Sequence, residues 1–148
     1  MRHAEKPADV HDPDLSPAGR QRAGLLVDFI QETFALPAFL FASAESKHSR
    51  RPIETLEPLS NNCGVSIDSS FADQDYAALA HELLKHNRYE DKLSVICWLH
   101  GNIPSIGHAL QVPDGAYPDP WDRDVFNLIL DVKCASGQPS VQKVKEPF

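Results

Sequence analysis

Two kinds of apolar pattern alternate along the chain. Behind Ser16 and Pro17, the residues Leu25, Leu26, Phe29, Ile30 and Phe34 recur at helical spacing, which predicts a helix from Ser16 to near Ala35. Ser16 can cap its first turn with the side-chain oxygen, and Pro17 suits the first helical position, where no amide hydrogen is needed. Pro37 stops the helix, and AFLFA, residues 38–42, has the length and density of a buried strand. A second helix is expected from Arg51 to about Leu59, opening on a proline, and a third from Asp75 to His86 with Leu79, Leu83 and Leu84 on one face. One short strand fits between them. LSVICWL, residues 93–99, is apolar on both parities with β-branched members, which predicts a strand covered on both faces and central in its sheet. Gly101 and Asn102 break that run, IPSIGHAL continues as a helix, and VFNLILDV, residues 125–132, is a further strand. Residues 133–148 suit either an edge strand or a frayed end.

Strands alternating with helices define an α/β chain, here a three-layer sandwich around a mostly parallel central sheet. At 148 residues the chain has the size of one domain, 1–148. Fourteen Lys and Arg against 21 Asp and Glu give a net charge of −7. That balance offers no broad basic face, so neither nucleic acid nor an anionic membrane is expected as a partner, and any anionic ligand needs a local basic pocket. No apolar run reaches the roughly 18–20 residues of a membrane span. The start, MRHAEKPADVHDPDL, carries no apolar signal-peptide core, and Cys63, Cys97 and Cys134 form no C-x-x-C pair. Together these predict a cytoplasmic protein without a disulfide framework, a structural zinc or a cofactor. His11, His48, His81, His86 and His108 match no zinc-ligand spacing and are expected in surface or capping roles.

Open α/β sheets bind ligands beyond the carboxyl ends of their strands. Arg51 follows the first strand there and His100 the 93–99 strand, while Arg2 and His3 open the chain. Two guanidinium forks and two imidazoles converging at one sheet end would form a dianion pocket, since the forks match phosphate oxygens bidentately. Trp98 and Trp121 are expected as core or rim aromatics.

RHAEKP, LSPAGRQRA, SKHSRRPIETLEPL and CWLHGNIPSI, in this order and at these separations, resemble the histidine phosphatase superfamily, the phosphoglycerate mutase-like fold, in its small phosphohistidine-phosphatase branch. The resemblance spans roughly residues 1–131. It implies His3 as the phosphorylated nucleophile, Arg2 and Arg51 as phosphate-binding arginines and His100 as the second pocket histidine. It also implies a general acid on the segment before the family's fourth helix, with Asp73 or Asp75 as candidates and Glu5 behind them, and puts Trp121 near the pocket mouth; Ser46 and Lys47, in the loop before Arg51, either edge the phosphate site or belong to a solvated loop. The substrate would be a phosphorylated small molecule or a phosphoprotein. Relatives begin with an apolar strand running directly into Arg-His, whereas here Met1 stands where that strand should end. Either the true start lies upstream, or His3 sits on a loose terminus. Two functions follow: a phosphatase working through phosphohistidine, or a degenerate module that binds phosphorylated ligands without turnover.

Overall fold

The computed structural model describes residues 1–135 and 137–148. Helix α1, Pro17–Thr33, begins as its sequence predicts: the Ser16 hydroxyl accepts the Gly19 amide at 3.0 Å. It buries Ala23, Leu26 and Ile30. Gly19 has a specific job in this packing, because a Cβ there would lie 2.3 Å from the main-chain oxygen of Glu5. Helix α2, Arg51–Cys63, runs a turn further than the sequence reading. Pro58 forfeits one intrahelical bond without ending the helix; Gly64 ends it in the left-handed conformation, φ 71°, with its amide on Ser60 O. Helices α3, Tyr76–Lys85, and α4, Ile103–Ala109, complete the set.

Strands β1 (Phe39–Ala42), β2 (Ile67–Asp68) and β3 (Ser94–Cys97) form a parallel sheet in the order β2-β1-β3. Among these three strands β1 is the middle one, and the 93–99 run pairs with it through four residues. On the open side of β3 the chain's first residues continue the parallel pairing. Met1 donates to Ile96 O at 2.8 Å, Trp98 N to Met1 O at 3.1 Å, and His3 N to Trp98 O at 3.2 Å. Strands β4 (Leu128–Lys133) and β5 (Ser140–Lys145) make a separate antiparallel pair, so the tail is an edge strand rather than a frayed end.

Alternation along the strands sorts the core into two layers. Leu40, Ala42, Val95 and Cys97 pack with Leu26, Ile30, Leu56 and Leu59 of α1 and α2. Phe41 and Trp98 pack on the other face with Leu79, Ala80, Ile103 and Ile106 of α3 and α4. Each fully buried Leu or Ile contributes about 1.5–3 kcal/mol. Helices on both faces of a parallel sheet realise the predicted three-layer sandwich and leave the carboxyl ends of β1 and β3 at one rim.

Candidate active site

Four sequence-predicted residues reach that rim from three directions. Arg51 starts α2 in the segment after β1, His100 opens a 3-10 turn, His100–Asn102, after β3, and Arg2 and His3 follow the short pairing with β3. His3 is 2% exposed and held on both sides of its backbone: its own amide bonds Trp98 O, and the next amide, Ala4 N, donates to Thr55 Oγ1 at 3.0 Å. The expectation of a loose His3 is thus corrected, because three residues of parallel pairing plus one side-chain contact are enough to fix it.

The His3 ring is set electrostatically as well as sterically. Nδ1 lies 2.6 Å from Ala4 O, and since a carbonyl only accepts, Nδ1 carries the hydrogen and Nε2 keeps its lone pair. Burial pushes the His3 pKa down to about 3; the Ala4 bond opposes this, and the charges of Arg2, Arg51 and His100 add to it. His100 is lowered too, by burial first and then by Arg2, Lys6 and Arg123.

Arg2 is buried with its guanidinium over the Phe126 ring, 3.8 Å from the centroid, and Phe126 also lies edge-on to His3 at 6.2 Å. Its Nη1 donates to the carbonyls of Arg123 and, at 3.4 Å, Val125. Burial takes its pKa down to about 10, with Asp124 opposing and Arg51 assisting. Arg51 donates through Nη1 to Asp12 O at 2.8 Å. The neighbouring arginines are otherwise engaged: Arg20 and Arg50 turn to the buried Glu54 carboxylate at 3.1 and 3.7 Å.

Asp73 precedes α3 and adjoins the turn that carries His100. Its Oδ2 accepts Asn102 Nδ2 at 2.8 Å and its carbonyl accepts Trp98 Nε1 at 2.9 Å. Burial raises its pKa, and Asn102 offsets part of that rise. Among the described residues, the buried side-chain polar atoms without a partner are Arg2 Nε, Arg51 Nε and Asp73 Oδ1. Such atoms cost about 1–3 kcal/mol each, and all three belong to residues that the sequence reading placed in the site.

Other sequence candidates fall away. Asp75 is exposed ahead of α3 and makes no side-chain cap. Glu5 is held by the Arg22 fork at 2.7–3.0 Å; burial alone would raise its pKa, but the Arg22 hydrogen bonds outweigh that, so it is a poor proton donor. Ser46 spends its hydroxyl on the amides of His48 and Ser49, and Lys47 is exposed beside it. Trp121 is buried in the core, its indole donating to Val125 O at 3.1 Å, the same carbonyl that receives Arg2.

Further contributors were given no role by the sequence reading. Thr55 accepts Ala4 N and donates to Arg51 O at 2.7 Å, one helical turn back, so the R-x-x-x-T spacing carried its signal. Phe126 and the carbonyls of Arg123 and Val125 carried none, because a loop's main-chain oxygens have no sequence signature. A groove of about 360 Å³ lies between α3 and α4, with Tyr76, Gly101, Ser105 and Tyr117 on its walls, one residue on from His100.

This architecture, helices on both faces of a parallel sheet, is the phosphoglycerate mutase-like fold. Solved structures of that fold superimpose on nearly the whole chain. One is the protein histidine phosphatase SixA in complex with tungstate, at 18% identity over 98% of this chain and 94% of the other, with a TM-score of 0.64. Another is a SixA described as a phosphohistidine phosphatase from Nakamurella multipartitia, at 17% identity over 99% of this chain and 93% of the other, TM-score 0.56. No protein-family model and no curated protein sequence matches the chain. Among the described residues no helix is long and apolar enough to cross a membrane.

Proposed function

We propose that this chain is a phosphatase that transfers a phosphoryl group from a phosphomonoester or a phosphorylated protein side chain to His3, and then to water. The observation that carries the reading is the state of His3: buried, neutral, its Nδ1 hydrogen committed to Ala4 O, and overlooked by two guanidiniums with orphaned Nε donors. Nε2 attacks phosphorus as the bond to the leaving oxygen or nitrogen breaks, and the charge on the three equatorial oxygens is met by Arg2, Arg51 and a donor from His100. Asp73, held toward its protonated form by burial, supplies the leaving group's proton. Water then attacks the phosphohistidine, releasing phosphate and restoring neutral His3.

The SixA likeness favours a phosphohistidine-bearing protein as substrate; tungstate, the ligand in one such structure, is the tetrahedral oxyanion this donor set would suit. With that substrate goes a cytoplasmic setting, which three widely spaced free cysteines favour. The missing first strand favoured the binding-only alternative; the anchoring of His3 through its own amide and that of Ala4 supports the enzyme reading instead. Rapid quench with a phosphorus-labelled aryl phosphate tests the proposal. The label should be acid-labile, alkali-stable and lost in His3→Ala; a label that persists in His3→Ala, or no vanadate-sensitive release at all, overturns it.

A further inference from the structure

We infer that the C-terminal segment positions the nucleophile, with the Glu146–Arg22 ion pair as its positioning residues. Glu146, just past β5, is 3% exposed, and a carboxylate so buried is retained where something pairs it. Two contacts leave it. Its carboxylate accepts Arg22 Nη1 at 2.6 Å, and its amide donates to Asn127 O at 2.9 Å.

The first contact leads to the chain just after His3. Arg22 bonds Phe148 O at 2.7 Å through Nη1 and grips the Glu5 carboxylate through Nε and Nη2. Glu5 follows Ala4, whose carbonyl orients the His3 ring. Ser16 N holds the Glu5 carbonyl from the other direction at 3.0 Å, so residue 5 is fixed at both its main chain and its side chain. The second contact leads to residue 127. Asn127 adjoins Phe126, the ring that lies edge-on to His3 and beneath the Arg2 guanidinium. One buried residue of the tail thus tethers both the segment that sets the His3 tautomer and the ring that seats Arg2. Only a planar fork reaches two carboxylates and a carbonyl at once, which is why arginine rather than lysine serves at position 22.

The inference uses the reading of His3 as nucleophile for its kinetic readout alone, so the test carries a second readout that needs no turnover. Glu146→Gln, Arg22→Lys and Glu5→Gln are prepared in the full chain with 15N-labelled histidine. For each, the His3 ring signals, the melting temperature and steady-state kinetics on an aryl phosphate are measured. Glu5 is partly exposed, so its variant folds even where a change at Glu146 does not. We expect the His3 Nδ1–H signal to shift or broaden in all folded variants, and kcat to fall about ten- to a hundredfold with KM within about twofold. A folded Arg22→Lys or Glu5→Gln with wild-type His3 signals overturns the inference, as does a lowered melting temperature with those signals unchanged. If wild type shows no turnover, the proposed phosphatase function fails, while the His3 signals still decide this inference.

Discussion

His3 couples the candidate chemistry to stability. Its folded pKa of about 3 lies below the ordinary 6.5, so between those values the unfolded chain binds a proton that the folded chain refuses. Stability therefore falls as pH drops through that window, by up to about 1.4 kcal/mol per pH unit from this one residue. Urea unfolding at pH 7 and pH 4.5 should show a steeper loss for wild type than for His3→Asn; parallel losses would mean that His3 is not held neutral. Asp73 makes a separate prediction. An alkoxide leaving group needs its proton and a nitrophenolate does not, so Asp73→Asn should cost about 10²–10⁴ in kcat on alkyl phosphates and little on p-nitrophenyl phosphate. Equal losses on both would remove Asp73 from proton transfer.

Among the elements, α1 decides how closely the nucleophile's segment can sit. Its Gly19 meets the Glu5 backbone, whose oxygen would lie 2.3 Å and nitrogen 3.0 Å from an added Cβ, and backbone cannot swing aside as a side chain does. Gly19→Ala should destabilise by about 1–3 kcal/mol through this overpacking. Gly24, on the same helix, has open space around its Cβ position, and Gly24→Ala should stabilise by up to about 1 kcal/mol through helix propensity. Thermal melts of the pair provide the check, and a Gly19→Ala that melts like wild type would show that α1 can retreat without cost.

Across the whole molecule, the last nine residues close the structure. β5 pairs along all of β4, Val144 joins the α1/α2 layer, and the Phe148 ring meets Phe29 at 5.7 Å. Ending the chain after Pro139 would strip these contacts and leave Arg22 facing Glu5 alone. Half-buried apolar groups at about 1 kcal/mol each, with the lost pairing, are a large share of the roughly 5–15 kcal/mol that holds a domain. The shortened chain should lose its cooperative transition in calorimetry; a melt within about 5 °C of wild type would reduce the tail to ornament.

The amino-acid pattern alone determined most elements and the four residues at the rim. Helical spacing behind Ser16 and Pro17, the density of AFLFA and LSVICWL, and the strand-end positions of Arg51 and His100 are local properties, legible without knowing what packs on them. Thr55 was within reach for the same reason, since its partner is one turn away. What only the tertiary structure decided depends on contacts between distant segments. The 93–99 run finds its two neighbours, β1 on one side and Met1–His3 on the other, in segments far from it in the chain, and pairing partners rather than apolar density set that order. Glu5 is an anchor because Arg22 reaches it, and Asp73 is favoured over Asp75 because Asn102 and Trp98 close over one and not the other. The seat of Arg2 is made by two main-chain carbonyls and a ring more than 120 residues away, and the His3 pKa is lowered first by burial, with the Arg2 and Arg51 charges adding to it. Backbone oxygens and desolvation have no letter in the sequence; they exist only once the chain has folded.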